Sequence, residues 1–428
     1  MAFQTVKGMR DFLPKEAIFR DEVFEKIKRV FEKFGFSPAI TPSLEYYEVF
    51  ANKYAIGEEN LKNIYDFEDK SKRRLALRFD QTVPLARLVA CNPQLPKPFK
   101  RYEISRVWRY EEIKRGRYRE FWQCDVDIIG SKSMMADAEV IACGLEAVKE
   151  LGFENVLMRI NNRKLLTAII KFIDASDKEK TVLRIIDKLD KIGKNGVEKE
   201  LVAAGLDDEQ IKNVFKIISL KGHEEVFENI CFLEKYEAGK EGIKELKDLI
   251  EWLKVFEIKN FLIDLSLARG LDYYTSTIFE LSGEDKNIGS IAGGGRYDKM
   301  IGKFSGNQDI PAVGIALGVE RILELMKDRA NKNTVTQIFV VSVNEKNRKD
   351  AVEAANILRK KGINTEVDLM DRKLSKQIEY ANKINVPFVL IVGDEEIKIG
   401  KYKLKDMSNG IERAATLDEI ARLVLPRS

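Results

Sequence analysis

Histidine is nearly missing from this sequence: among 428 residues the single copy is His223, in the charged segment SLKGHEEVFEN. That scarcity excludes, within one subunit, a serine–histidine–acid triad, a histidine-rich zinc site and paired-histidine phosphotransfer. His223 itself reads as a solvated surface residue. Cysteine is sparse too, and Cys91, Cys124, Cys143 and Cys231 lie too far apart for a disulfide scaffold or a cysteine-type zinc cluster. No apolar run approaches the length of a membrane span, and the opening MAFQTVKGMRDFLP carries no secretion pattern. A reducing cytoplasm is therefore expected. A P-loop of the form G-x-x-x-x-G-K-S/T is absent, as is a strand-linked G-x-G-x-x-G fingerprint. Net charge is only +4, from 73 basic and 69 acidic residues, so any polyanion footprint must be local.

What is present is ample core material, 44% hydrophobic against 33% charged, in a chain long enough for two or three domains. Asp11 and Pro14 precede a helical run to about Phe34, with Gly35 as its stop. Arg74 to Phe79 alternates like a strand, a helix starts at Pro84 and ends near Cys91, and Met135 to Leu151 forms a long helix closed by Gly152. From Thr167 to Val255, charged and apolar residues recur at helical spacing, which predicts a small helical domain interrupting an antiparallel one. Beyond Gln337, strand and helix patterns alternate as βαβαβ, the mark of a small α/β domain with a largely parallel sheet. Gly293-Gly294-Gly295 permits either a main-chain approach to phosphate or simply a turn or close strand packing.

The most informative stretch runs from Lys100 to Gly130, KRYEISRVWRYEEIKRGRYREFWQCDVDIIG. Near two-residue alternation around Ser105–Arg109 and Arg117–Gln123 predicts an antiparallel hairpin that points arginine, glutamine and acidic side chains from one surface. Buried arginine is costly unless an anion meets it, so that surface should face a polyanionic ligand or a dense ion-pair network.

In order along the chain, Gly35–Pro42, the Lys100–Gly130 hairpin and Gly314-Ile315-Ala316-Leu317-Gly318-Val319-Glu320-Arg321 resemble motifs 1, 2 and 3 of class II aminoacyl-tRNA synthetases. Arg269-Gly270-Leu271-Asp272-Tyr273-Tyr274 and Ala292-Gly293-Gly294-Gly295-Arg296-Tyr297-Asp298 resemble the two signatures of the histidyl-tRNA synthetase family. The resemblance implies an α+β catalytic domain with a mainly antiparallel sheet, a helical insertion and a C-terminal α/β domain. It places the catalytic core at residues 1–166 and 256–325, the helical insertion at 167–255 and an anticodon-binding domain at 331–428. It further implies ATP with Mg²⁺ as substrate, no prosthetic group, and L-histidine, tRNA(His) and a second copy of the chain as partners. It leaves the metal ligands unknown.

Carried over position by position, the resemblance implies catalytic roles for Arg109, Arg269 and Arg321. Arg109 would meet the α-phosphate of ATP, Glu111 would recognise adenine, Phe121 would stack on it, Arg117 would support the phosphates and Arg321 would hold the γ-phosphate. Arg269 would sit between the histidine carboxylate and the α-phosphate. Asp80, Thr82 and Gln123 would receive the ammonium group, while Asp127 and Tyr274, beside Tyr273, would read the imidazole. Asp80 and Asp127 stand where members of the family can carry the longer glutamate. A histidine-sensing regulatory paralogue without catalysis, and a structural RNA-binding protein, are the alternative readings.

Overall fold

The computed structural model describes residues 3–51, 58–269, 273–282, 289–306 and 309–425, without the side chains of 58 and 59. Two compact units emerge: Met1–Arg10 with Val23–Met326, and Asp11–Glu22 with Lys327–Ser428. The first is built on a nine-stranded sheet ordered Ser37–Pro38, Phe99–Trp108, Glu120–Ile129, Ala312–Gly318, Ser290–Arg296, Thr277–Ser282, Leu157–Asn162, Phe261–Asp264 and Lys221–Gly222. Only two of its pairings are parallel, Ser37–Pro38 on Phe99–Trp108 and Leu157–Asn162 on Phe261–Asp264, so the sheet is mainly antiparallel as expected.

The hairpin forms, with its strands shifted outward from the predicted spans. They are Phe99–Trp108 and Glu120–Ile129, and Arg117 and Arg119 lie in the connection instead. The alternation there anchors a loop: Arg119 donates its N–H to the Gly8 carbonyl at 3.0 Å, and its guanidinium lies 3.7 Å over the Tyr110 ring. Nor do all the hairpin arginines share Gln123's face. Arg106 pairs in register with Trp122 and therefore points to the opposite side.

Helix Met134–Glu150 covers that opposite side, starting at a Ser133 cap whose hydroxyl accepts from the Met135 N–H. Its Asp137 is fully buried and ion-paired with Arg296, whose guanidinium also donates to the Ser131 and Ser133 carbonyls at 2.8 and 3.1 Å. Helix Glu237–Val255 packs on this helix and on Arg163–Phe172. The predicted start of the helical insertion, residue 167, thus falls inside helix Arg163–Phe172, because the charge-rich composition sets in partway along it. Strand Lys221–Gly222 ties the helical segment to the sheet by pairing antiparallel with Phe261–Asp264.

The second unit holds a five-stranded sheet ordered Thr365–Val367, Ile338–Ser342, Phe388–Val392, Tyr402–Asp406 and Glu412–Ala415. The first three strands are parallel, as the βαβαβ pattern predicts. The last two form an antiparallel hairpin that the sequence reading missed, since their lysines and glutamates hide the alternation. Helix Leu417–Val424 closes the unit from a Thr416/Glu419 capping box. Among the described residues, no helix is long and apolar enough to cross a membrane.

Removing Arg296 leaves Asp137 buried without its cation, a loss worth about 3–5 kcal/mol. Arg296→Met is expected to lower stability by that amount in urea unfolding. A loss below about 1 kcal/mol, typical of an exposed pair, would show that this bridge does not secure the helix to the sheet.

Candidate functional site

A cavity of about 1340 Å³ lies over one face of the nine-stranded sheet. Gln123, Asp125 and Asp127 all line it because side chains two apart on a strand share a face. On one side they are registered with Ser105, Glu103 and Arg101, and on the other with Gly318, Ala316 and Gly314. The row through Asp125 continues across Ala316, Gly293, Glu280 and Arg159. Small residues in the middle keep the floor low, acids stand at one end and arginines arrive at the other.

Two glycines make that floor possible. A β-carbon at Gly293 would stand 1.9 Å from Nη1 of Arg269, and one at Gly314 would stand 2.0 Å from Oδ1 of Asp127. Neither side chain could keep its place beside alanine. The glycine run therefore serves close approach within a strand, the second of the two readings open from the sequence.

At the acidic end, Asp80 precedes helix Thr82–Cys91, and its Oδ1 accepts the Val83 N–H at 3.0 Å. Oδ2 of Asp80, Oε1 of Gln123 and Oδ1 of Asp125 are buried with no hydrogen-bond partner. Asp127 accepts from the Tyr297 hydroxyl at 2.6 Å and faces Nη2 of Arg101 at 3.0 Å. A carboxylate offers about four lone-pair sites, so Asp127 retains accepting capacity. Thr82 and Tyr273 line this end too, and the Tyr273 ring centroid lies 4.8 Å from that of Tyr274. Burial pushes the Asp80 and Asp127 carboxyls up. It raises Asp125 well above the usual range; Arg101 pulls the other way, and the neighbouring Asp127, Glu103 and Asp80 add to the rise.

The basic end gathers Arg109, Arg117, Arg269 and Arg321 around the same cavity. Arg109 donates Nε–H to the Phe79 carbonyl at 3.0 Å, and its guanidinium lies 4.4 Å from the Phe79 ring and 5.2 Å from Phe121. Arg321 donates to the Ser290 carbonyl. Burial and the fields of Arg117, Arg269 and Arg109 lower its pKa, with Glu280 opposing them. Such crowding of like charge needs an anion. Arg269 pairs with Glu280 at 2.9 Å and adopts φ of 31°, a strained backbone that its surroundings must enforce. Arg117 is paired with Glu111 at 2.5 Å, so the expected phosphate and adenine contacts of these two begin as a contact with each other. Gly270, Leu271 and Asp272 of the signature lie outside the described residues.

Residues 8–322 match the family profile described as Histidyl-tRNA synthetase, and residues 337–426 match the one described as Anticodon binding domain. The chain belongs to the histidyl-tRNA synthetase family. A histidine–tRNA ligase of Aeropyrum pernix is 41% identical over 426 residues, which are 98% of this chain and 97% of that one. The crystal structure of histidyl-tRNA synthetase from Nostoc sp. PCC 7120 superposes with a TM-score of 0.86 at 31% identity, covering 99% of both chains. A Bacillus halodurans structure described as an ATP phosphoribosyltransferase regulatory subunit/histidyl-tRNA synthetase has a TM-score of 0.78 at 24% identity, over 92% of this chain and 99% of that one. That last likeness carries the fold alone.

Within this histidyl-tRNA synthetase family framework, every residue expected at the site lines the one cavity. Five others were not anticipated. Tyr297 and Arg101 flank Asp127, Glu103 joins Arg101 at 3.3 Å and Arg78 at 2.6 Å, and Asp125 stands between Gln123 and Asp127. Period-two spacing alone would have found Asp125, since it marks the same face as its two neighbours.

Asp125 should also leave a pH signature. Its native carboxyl holds a proton more tightly than the unfolded one, so its contribution is most favourable below the unfolded pKa. It is lost as pH rises through the higher folded value. Asp125→Asn removes this loss, so the ligand-free variant should melt above wild type at about pH 8, with the gap closing towards about pH 4. A melting difference independent of pH would contradict the assignment.

Proposed function

We propose that this chain activates L-histidine with ATP to histidyl-adenylate and transfers the histidyl group to the 3′ end of tRNA(His). The observation that supports it is one cavity with unpartnered buried acceptors at one end and four guanidiniums at the other. A zwitterionic amino acid and a triphosphate need that division: acceptors for an ammonium group, and fixed donor forks for a carboxylate and phosphates.

In the first step the histidine carboxylate attacks the α-phosphorus in line and pyrophosphate leaves. A carboxylate is already ionised at neutral pH, so the step needs no general base, in keeping with a chain whose only histidine is His223. Arg109 and Arg269 hold the α-phosphate as charge shifts onto the leaving group. Arg321, joined by Arg117 after its release from Glu111, holds the terminal phosphates. Phe121 takes the adenine face and Glu111 its edge. Asp80, Thr82 and Gln123 receive the ammonium group, with Tyr273 bracing that side of the pocket. Asp127 and Tyr274 take the two imidazole nitrogens, leaving buried groups unpaired when a ring lacks them. In the second step the terminal ribose hydroxyl of the tRNA attacks the activated carbonyl, and an adenylate phosphate oxygen accepts its proton.

Among the described residues, no three acidic, histidine or cysteine side chains converge as a metal cage. Mg²⁺ would come with ATP and offset the charge of its phosphates, and no protein ligands are assigned to it. The 331–428 domain is assigned to the anticodon, the 167–255 helices to the acceptor arm and the Glu112–Gly116 tip to the acceptor end. In the structure Arg115 of that tip is paired with Glu324 at 2.7 Å. A homodimer is supported by apolar side chains left exposed in and after the motif 1 segment, Ile40 at 74%, Leu44 at 42% and Tyr46 at 51%.

The regulatory alternative is disfavoured because it gives Arg109, Arg269 and Arg321 no phosphate to hold. Exchange of labelled pyrophosphate into ATP should depend on histidine among all the amino acids. Arg109→Ala should slow it by about 30-fold or more, some 2 kcal/mol of lost charge stabilisation. Absence of exchange in folded, Mg²⁺-supplied protein would contradict the proposal, and an unchanged rate in the variant would remove Arg109 from the mechanism.

A further inference from the structure

The acidic end of the cavity has more acceptors than the assigned contacts use. Asp80, Gln123 and Asp125 are each at least nine-tenths buried, at 3%, 8% and 3% exposure, and each keeps one oxygen with no hydrogen-bond partner. Gln123 and Asp125 rise from one face of a strand, and the electrostatic coupling of Asp80 with Asp125 places them in one another's field. Oδ2 of Asp127 lacks a hydrogen bond as well, though it stands 3.0 Å from Arg101, and unpartnered buried acceptors around one cavity are a standing penalty unless a ligand brings donors to them. An alkylammonium group carries three N–H donors and a positive charge.

We propose that Asp125 is a direct ligand of the histidine ammonium group, joining Asp80, Thr82 and Gln123 in its seat. This rests on reading the cavity as the histidine site. The acid nearest Asp125 along its face of the strand, Asp127, accepts from Tyr297 and is ion-paired with Arg101, and it is assigned to the imidazole, so the two acids divide the amino acid between them. Arg101 is not left to Asp125 for neutralisation, because Asp127 at 3.0 Å and Glu103 at 3.3 Å are its direct partners. Asp125 is thereby available to the substrate. An acylated amino group brings neither the positive charge nor the three donors, so the seat favours a free α-amino group.

The test compares binding of histidine with that of imidazolepropionate, which keeps the ring and carboxylate but lacks the ammonium group, by calorimetry on the full chain. Asp125→Asn keeps the side-chain shape and should weaken histidine by about tenfold or more, the effect of losing a hydrogen bond to a charged group, while imidazolepropionate stays within about twofold. Asp125→Glu, which restores the charge, should recover part of the preference for histidine. Equal weakening of both ligands would make Asp125 a support for the pocket and overturn the proposal. Unchanged histidine binding in Asp125→Asn would also overturn it, provided Asp80→Asn weakens histidine in the same assay. If neither variant affects histidine, the reading of the cavity fails and this proposal falls with it.

Discussion

Buried charge on one face of one sheet is the constraint around which this molecule is arranged. Arg101 and Glu103 are wholly buried, and Asp80, Asp125 and Asp127 nearly so. Removing that many ionised groups from water is tolerable only with direct partners or a bound ligand. The protein supplies partners for some: Arg78 and Arg101 hold Glu103, and Arg101 with Tyr297 holds Asp127. It leaves one oxygen each of Asp80, Asp125 and Asp127 without a hydrogen bond, and all three residues line the cavity. Stability is given up at the places where a substrate would restore it.

The neighbouring sequence is shaped by the same constraint. Gly293, Gly314 and Ala316 lie in the rows beside the acids, where larger side chains would fill the cavity or displace Arg269 and Asp127. Glu280 is set between Arg269 at 2.9 Å and Arg159 at 3.7 Å, and Arg159 in turn reaches Asp190 of the helical segment at 2.6 Å. The strained arginine is thus fixed through a chain of charges that ends outside the sheet. Its backbone geometry is affordable because Glu280 and the bare backbone of Gly293 over-determine where the guanidinium lies.

Much of this was readable in the sequence. Period-two alternation in the hairpin gave the antiparallel pair, and arginine where burial was expected gave the demand for anions. Both answers to that demand are present, since Arg101 enters an ion-pair network while Arg109 and Arg117 border the cavity. Harder to read was the side of the sheet each hairpin residue takes once the strands shift outward, which sends Arg106 away from Gln123. Asp125 was hidden by its neighbours, because family resemblance draws the eye to Gln123 and Asp127 and the acid between them looks like ordinary strand polarity. The Tyr402–Ala415 hairpin was hidden by composition, its surface lysines and glutamates masking a strand pattern that only the completed sheet reveals.

The account stands on the claim that ammonium and imidazole lie at the acidic end while the phosphate lies among the arginines. A crystal structure with a non-hydrolysable histidyl-adenylate analogue tests it most directly. The expected complex has the ammonium nitrogen within hydrogen-bond reach, about 2.7–3.2 Å, of Asp80, Gln123 and Asp125, the imidazole against Asp127 and Tyr274, and the phosphate surrogate against Arg109 and Arg269. An analogue bound the other way round, or with its ammonium group in solvent and the three acceptors still unpartnered, would contradict it.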